Sequence, residues 1–328
     1  MAVLVTGGAG YIGSHMVLRL ADAGETVVVL DNLVTGFDWA VDPRAELVQG
    51  HAGDMALVEH VIASHGIDAI VHFAGSIVVP ESVTDPLKYY GNNTATSRNL
   101  IEAAVKGGVK HFIFSSTAAV YGMVGLEPVS EDNALRPISP YGRSKLMTEM
   151  MLADVAAAHP LTYGVLRYFN VAGADPKRRS GQSTPRATHL IKVASQAALG
   201  QRDHVEVFGT DFDTPDGTGV RDYIHVSDLV EAHALLLGHL RDGGESATLN
   251  CGYGQGYSVK QVLGAVREAS GVDFEVRMAP RRAGDPAAIV AASHRIKALL
   301  GWQPAHADLD AIVGSALDWE RYLLTRNR

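Results

Sequence analysis

The sequence predicts an α/β fold, with a doubly wound parallel sheet followed by a smaller mixed α/β part. Three observations carry this expectation. Over the first two-thirds of the chain, short β-branched runs that are apolar on both faces alternate with helix-period segments. That is the pattern of βαβ units whose helices cover both faces of a parallel sheet. A glycine-rich turn joins the first strand to the first helix, and after about Gly173 the regular alternation ends.

The strands are expected at residues 3–6, 26–30, 67–72, 111–115 and 162–166, each about five apolar or β-branched residues long. Helical spacing falls between them at 12–23, 55–65, 86–106 and 141–158. Asp85-Pro86 adds an N-cap followed by proline in the first turn. Residues 175–186 are polar and carry Gly, Pro and several basic residues, so they read as a loop. Helices at 188–199, 227–240, 258–269 and 308–324 follow, with a Gly/Asp-rich stretch at 209–219 and short strands between. The division is placed between residues 1–173 and 174–328. No internal repeat is visible.

Composition narrows the function. The 328 residues are 47% hydrophobic and carry a net charge of −8. The apolar content fills a core, which excludes intrinsic disorder. A net acidic chain has no global field for nucleic acid or an anionic membrane, so an anionic ligand needs locally placed basic groups or backbone amides. The one cysteine, Cys251, excludes a disulfide framework and a Cys-based zinc site. The start MAVLVTGG has no basic n-region, and no run approaches the roughly 18 apolar residues of a membrane span. A cytoplasmic protein is expected.

Thr6-Gly7-Gly8-Ala9-Gly10-Tyr11-Ile12-Gly13 follows the first strand directly and opens the first helix. Gly7 allows the tight turn, Gly10 lets backbone amides approach a pyrophosphate, and Gly13 permits close helix–strand packing. Asp31 ends the second strand, where a carboxylate accepts from a ribose diol and repels a 2′-phosphate, favouring NAD over NADP. Tyr141 and Lys145 stand four apart at a helix start, one turn apart on one face. Such a pair is weak alone, since 11 Tyr and 8 Lys produce about a quarter of one by chance. Its weight comes from the cradle in the same chain. An ammonium beside a phenol, with a nicotinamide cation, lowers the phenol's pKa, so that it can remove a hydroxyl proton while hydride leaves the same carbon. Ser115-Ser116-Thr117 closes a predicted strand, and ligands sit beyond the carboxyl ends of such strands, which sends the Thr117 hydroxyl toward the cofactor.

Together these segments resemble the extended short-chain dehydrogenase/reductase family with its Rossmann-like fold, and within it the bacterial enzymes that epimerise UDP-glucose and UDP-galactose at C4. The matches run from residue 3 to about residue 285. They include Asp31-Asn32-Leu33, His72-Phe73-Ala74-Gly75, Glu81-Ser82-Val83, Tyr89-Tyr90, Asn92-Asn93 and Leu166-Arg167-Tyr168-Phe169-Asn170. The most specific run ends in Arg221-Asp222-Tyr223-Ile224-His225-Val226.

The resemblance implies that residues 1–173 bind NAD and that 174–328 mainly bind the UDP-sugar. Tyr11, Ile12, Asp31, Asn32, Ala52, Phe73, Ala74, Gly75, Asn92, Ser115 and Phe169 are implied to line NAD, with Tyr141 and Lys145 at its nicotinamide ribose. Asn170, Leu190, Val207, Phe208, Arg221, Arg282 and Asp285 are implied to hold UDP. Tyr141 would take the 4-OH proton, relayed or oriented by Thr117, as hydride passes from C4 to NAD. The 4-keto sugar then turns over and is reduced on its other face. A homodimer built on the helices flanking the catalytic face is also implied.

Four positions depart from the family pattern. His51 replaces an acid near the adenine, where a neutral imidazole could still accept from the amino group. Ile77 replaces a common lysine near the cofactor. His189 replaces an asparagine on the uracil side, and Ile289 stands at the position that gates the sugar's 2-substituent. The sugar range stays open to UDP-N-acetylhexosamines, UDP-pentoses and UDP-uronates.

Other classes fit less well. Sugar dehydratases and decarboxylases of the family need a carboxylic acid after Thr117, where this chain has Ala118-Ala119. A non-catalytic NAD sensor is expected to lose Tyr141 or Lys145. For a metal site there is no His-Glu-x-x-His among the 14 His.

Overall fold

The computed structural model describes residues 2–184, 187–282 and 284–326. Its large sheet is built from β1 (Ala2–Thr6), β2 (Thr26–Asp31), β3 (Glu46–Gln49), β4 (Ile67–His72), β5 (His111–Thr117) and β6 (Thr162–Tyr168). Beyond β6 come β7 (Asn170–Ala172), β8 (His204–Phe208), β9 (Val220–His225), β10 (Ala247–Cys251), β11 (Gly256–Ser258), β12 (Glu275–Ala279) and β13 (Ala288–Ile289). Seven strands form the parallel sheet in the order β10-β6-β5-β4-β1-β2-β3. The order reverses beside β1, the switch point at which such sheets bind their ligands.

The two-residue period of the strands divides their side chains between two cores. Val3, Val5, Val27, Val29, Ala69 and Val71 face the helices Tyr11–Asp22 and Val226–Arg241. Leu4, Val28, Leu30, Ile70, Phe112 and Phe114 face Met55–His65, Thr96–Lys106 and Pro140–Ala158. With both faces covered, the strands have no polar side to show water, which is why they read as unbroken apolar runs. β3 is a half-exposed edge strand of four residues and lacks that signature.

Two findings refine the expected elements. Residues 86–106 do not form one regular helix. A short helix Pro86–Tyr89 leads into a π-helical segment Tyr90–Ala95 and then into Thr96–Lys106. This widened turn carries Asn92 and Asn93, and such turns commonly serve functional sites. The large sheet also extends beyond residue 173, because β10 pairs with β6 and the helix Val226–Arg241 packs beneath both. The later residues otherwise form a sheet in which β9 pairs β11, β13 and β7, and a separate parallel pair, β8 with β12. The expected loop at 175–186 includes two positions, 185 and 186, outside the described residues.

A buried polar network fixes β5, β6 and β10 to the helix Pro140–Ala158. Glu149 accepts from Arg167 Nη2 at 2.6 Å and from the Ser116 hydroxyl. Arg167 Nη1 reaches the Tyr121 hydroxyl at 3.1 Å, which donates to Asn250 at 2.7 Å. Removing one charge leaves the other buried without its partner, a loss of about 3–5 kcal/mol. Arg167→Met is therefore expected to lower the urea midpoint strongly, and adding Glu149→Leu to recover much of the loss. A single variant with the wild-type midpoint would contradict this.

Candidate active site

The first turn of the chain is built for an approaching phosphate. Gly7 sits at φ +71, and a Cβ there would lie 2.7 Å from the Ala74 amide nitrogen. Gly7 N–H donates to Leu30 O at 2.9 Å, and Gly10 N–H to Gly7 O at 3.1 Å. The helix Tyr11–Asp22 starts from Gly10 with no side chain capping it, which leaves its first-turn amides and positive dipole end for an anion. A Cβ on Gly13 would fall 2.1 Å from Gly7 O, so only glycine lets the helix pack this close. The cradle fits a dinucleotide pyrophosphate.

Asp31 is anchored rather than free. Its carboxylate accepts from Ala9 N–H at 3.0 Å and from Leu33 N–H at 2.8 Å, with Leu33 held at φ 58. Two such bonds aim the carboxylate and leave further lone pairs for a ribose diol. Asn32 accepts from Val34 N–H at 3.2 Å. His51 differs from its expectation. Its Nδ1 accepts from Gly53 N–H at 3.1 Å, so in the neutral ring the proton lies on Nε2, and that exposed edge donates. It therefore cannot accept from an adenine amino group in this arrangement. Ala52 beside it is buried.

The amides of Phe73 and Ala74 both bond to Thr6 O, at 3.0 and 3.1 Å, which ties this loop to the cradle. Of the two adjacent asparagines on the π-helical turn, Asn92, expected to line NAD, is exposed, and Asn93 is buried. Asn93 Oδ1 accepts from Ser76 N–H at 2.7 Å, while Nδ2 donates to Ser76 O and Ser144 Oγ, each at 3.0 Å. Asn92 is exposed and reaches only the Ser76 hydroxyl, at 3.1 Å. The π-helical turn places two adjacent asparagines differently, and the sequence does not resolve which one turns inward. A Cβ on Gly75 would lie 2.9 Å from Asn93 Oδ1 and 3.9 Å from Lys145 Nζ, so the glycine keeps a gap before the lysine. Ile77 is half exposed, with relative exposure of 50%.

Ser139 caps the helix Pro140–Ala158 by accepting from Gly142 N–H at 3.1 Å, with proline at the first position. This start puts Tyr141 in the first turn and Lys145 in the next, both buried. Lys145 Nζ donates to the Ser115 carbonyl at 3.0 Å and lies 4.8 Å above the Phe114 ring. Burial lowers its pKa from the ordinary 10.5 to about 8, with Glu149 opposing. Thr117 Oγ1 accepts from Ala119 N–H at 3.1 Å, which leaves its own proton for the Tyr141 oxygen.

Here the structure corrects the expected electrostatics. Burial pushes the Tyr141 phenol above its ordinary pKa, Tyr168 adds to the rise, the Thr117 hydrogen bond opposes it, and Tyr89 contributes a smaller rise. Lys145 donates to a backbone carbonyl and is not among the groups that shift the phenol. Positive charge from a bound cofactor has to supply the remainder.

On the other side of the groove, register does the positioning. Asn170 lies opposite Tyr223 across β7 and β9, and Ile289 opposite Arg221 across β13 and β9. Arg221 Nη2 lies 3.6 Å from Asp285 Oδ1, and Nη1 donates to Val220 O at 2.8 Å. Burial lowers the Arg221 pKa, with Asp285 opposing, a strain that an anionic ligand relieves. The Arg282 guanidinium stacks 3.8 Å from the Phe208 ring centroid. Val207 points into the core, so its side chain faces away from the groove. Phe169 packs with Ala118, Val120, Tyr121 and Ile289, behind the catalytic strand end. His189 and Leu190 stand at the N-terminus of Leu190–Ala198, which no side chain caps. They border a pocket that also includes Tyr11, Asn170, Gln182 and Tyr223. The Tyr11 hydroxyl donates to Gly173 O at 2.6 Å and links the two parts of the chain. Among the described residues no cluster of three His, Cys, Asp or Glu could hold a metal.

Sequence reasoning missed Asn93, Tyr168, Gln182 and Tyr223 as residues of this region. Asn93 and Tyr168 stand beside the candidates Asn92 and Phe169 in the matching runs, and Tyr223 two positions after Arg221. Gln182 sits in a polar loop and carries no motif.

Known proteins are similar over the whole chain. The model of the NAD dependent epimerase/dehydratase family matches residues 3–252. A UDP-glucose 4-epimerase of Azospirillum brasilense is 56% identical over 321 residues, covering 98% of this chain and 92% of its own. A UDP-Glc/GlcNAc 4-epimerase of Campylobacter jejuni is 47% identical with TM-score 0.86, over 98% of this chain and 99% of its own. A UDP-glucose-4-epimerase of Stenotrophomonas maltophila, solved with bound NAD and formylated UDP-arabinopyranose, is 39% identical with TM-score 0.96 over 100% of both chains.

The lowered pKa of Lys145 sets a stability signature. The folded state releases this proton at about 8 and the unfolded chain at 10.5, so between those values the unfolded state holds more protons. Stability from this group therefore rises with pH across that window. Urea unfolding of the wild-type chain and Lys145→Met should show the wild type gaining relative stability from pH 8 to 10. A constant difference would contradict the lowered pKa.

Proposed function

The chain belongs to the NAD dependent epimerase/dehydratase family, and from its site we propose that it inverts C4 of a UDP-hexose, interconverting UDP-glucose and UDP-galactose with NAD as cofactor. It is an isomerase. The observation that carries the chemistry is the convergence of Tyr141, Thr117 and Lys145 at a strand end beside the glycine cradle. Ala118 and Ala119 follow Thr117, where an eliminating enzyme needs a carboxylic acid. Retention of both Tyr141 and Lys145 argues against a non-catalytic NAD sensor.

We assign the cofactor to residues 1–173 and the UDP-sugar mainly to 174–328. Gly7, Gly10, Tyr11, Ile12 and Gly13 would hold the NAD pyrophosphate, Asp31 and Asn32 its adenosine ribose, and Ser115, Tyr141 and Lys145 its nicotinamide end. When bound, NAD supplies the hydride acceptor and donor for C4, together with a cationic ring that favours a nearby phenolate. Tyr141 takes the 4-OH proton, with the Thr117 hydroxyl donating to its phenol oxygen and orienting the transfer. Arg221 and Arg282 hold the diphosphate by charge-assisted bonds. The local cations supply what a chain of net charge −8 lacks globally. Anchored through its diphosphate, the 4-keto sugar can turn and present its opposite face.

A second reading, turnover of the N-acetylated sugars as well, is supported by the 47% identity to the Campylobacter UDP-Glc/GlcNAc 4-epimerase. Ile289, opposite Arg221 in the sheet, is the side chain placed to set that limit. We also infer a homodimer. Val83, Leu87, Met147 and Met150, on the segment before the π-helical turn and on the helix Pro140–Ala158, expose 64%, 80%, 41% and 59% of their surface. Isolated chains rarely leave such apolar side chains on neighbouring helices in water. Among the described residues no helix is long and apolar enough to cross a membrane. We place the protein in the cytoplasm, where nucleotide sugars and NAD are supplied.

The purified protein should interconvert UDP-galactose and UDP-glucose without added reductant. Tyr141→Phe should lose about 10²–10⁴-fold in turnover while retaining NAD. Conversion of only a different UDP-sugar pair would reassign the substrate. Arg221→Ala should weaken UDP binding by about 2–5 kcal/mol in calorimetry, and unchanged affinity would refute its placement. Sedimentation should give a dimer at micromolar concentration that Leu87→Asp weakens, and a monomeric wild type would remove the dimer.

A further inference from the structure

His233 lies on the helix Val226–Arg241, fully buried against the large sheet behind the catalytic strand end. Both of its ring nitrogens are engaged. Nδ1 lies 2.9 Å from the Leu229 carbonyl oxygen, which can only accept, so Nδ1 carries a proton. Burial holds the imidazole pKa down to about 4, with the Leu229 carbonyl opposing. The ring is therefore neutral at physiological pH and Nε2 is an acceptor. Nε2 lies 3.1 Å from Ser115 Oγ, so in this pair the serine hydroxyl is the donor.

Ser115 has one hydroxyl proton. Once that proton is committed to His233, the oxygen can only accept. Tyr168 lies opposite Thr117 across β5 and β6, near enough to raise the Tyr141 pKa. The backbone carbonyl of the same serine holds Lys145 at 3.0 Å. His233 also packs against Phe73 and Tyr168, with ring centroids 5.0 and 6.4 Å away. One imidazole thus stands behind the lysine's anchor, the second phenol and the loop after β4.

We propose that His233 is a positioning residue for the epimerisation. As its Nδ1–H tautomer it accepts the Ser115 hydroxyl, and so holds in place the strand end whose carbonyl seats Lys145 on the helix that carries Tyr141. The inference rests on reading this site as a C4 epimerase centre. Without the acceptor, the buried Ser115 hydroxyl loses its partner and the strand end that seats Lys145 is no longer held in place. The arginines that bind substrate lie on other elements and are untouched. The chemical step should therefore suffer, and substrate binding should not.

The test compares wild type, His233→Phe, His233→Gln and Ser115→Ala with UDP-galactose. His233→Phe should lower kcat about tenfold with KM within about twofold, and Gln, whose amide oxygen can accept from Ser115, should recover to within about threefold of wild type. Ser115→Ala keeps the carbonyl for Lys145, removes a small group, and should match the Phe variant. It carries the test if that variant does not fold. A wild-type kcat in His233→Phe or Ser115→Ala, or a Gln variant no better than Phe, overturns the proposal. A readout independent of turnover is the histidine ¹⁵N spectrum, with His233 assigned by its loss in the Gln variant. It should show protonated Nδ1 and bare Nε2 at about pH 6 to 8. The opposite tautomer overturns the proposal. A wild type inactive on every UDP-sugar defeats the epimerase reading instead, while the tautomer still tests the hydrogen-bond chain.

Discussion

Lys145 is a buried ammonium held by a backbone carbonyl, and the site follows from that arrangement. Glu149, one turn further along the same helix, could have neutralised it, but that carboxylate is engaged by Arg167 and Ser116. Lys145 is left with the Ser115 carbonyl and the face of Phe114, and desolvation brings its pKa down to about 8. A group balanced there holds positive charge at neutral pH without being locked to a counter-ion. The pairing depends on sheet register, since Ser115 and Ser116 lie opposite Leu166 and Arg167 across β5 and β6.

Tyr141 is governed by the same burial with the opposite consequence. Desolvation favours its neutral phenol, so proton removal is coupled to positive charge arriving beside it. Coupling of this kind suits a reaction in which a proton leaves a hydroxyl oxygen as hydride leaves its carbon, because the base becomes strong only in the loaded site. The proposed substrate half stands on separate elements. β9 supplies Arg221 and Tyr223, and its neighbours β7 and β13 supply Asn170 and Ile289. These residues stand on strands of the smaller sheet, apart from the helix that carries Tyr141 and Lys145.

Much of this was legible in the residues. The apolar runs of β1, β2, β4, β5 and β6 announce strands because both faces are buried, and the glycines of the cradle announce close backbone approach. The edge strand β3 is half exposed, and β10 carries the polar Thr248 and Asn250 among its apolar residues, so neither shows an unbroken apolar run. Spacing placed Tyr141 and Lys145 on one face but said nothing of where the ammonium points. That depends on Ser115, 30 residues earlier. The choice between Asn92 and Asn93 is made by a π-helical turn, and the tautomer of His51 by a neighbouring amide. The direction of Val207 follows from pairing between β8 and β12. Each of these depends on a contact formed only after folding.

The most direct measurement is a crystal structure of the protein with NAD and a UDP-hexose that reports the atoms around C4. The account requires the Tyr141 oxygen within about 2.6–3.2 Å of the sugar 4-oxygen, with the Thr117 hydroxyl on the same phenol. A sugar whose 4-oxygen meets another side chain, with Tyr141 out of hydrogen-bond reach, would contradict it.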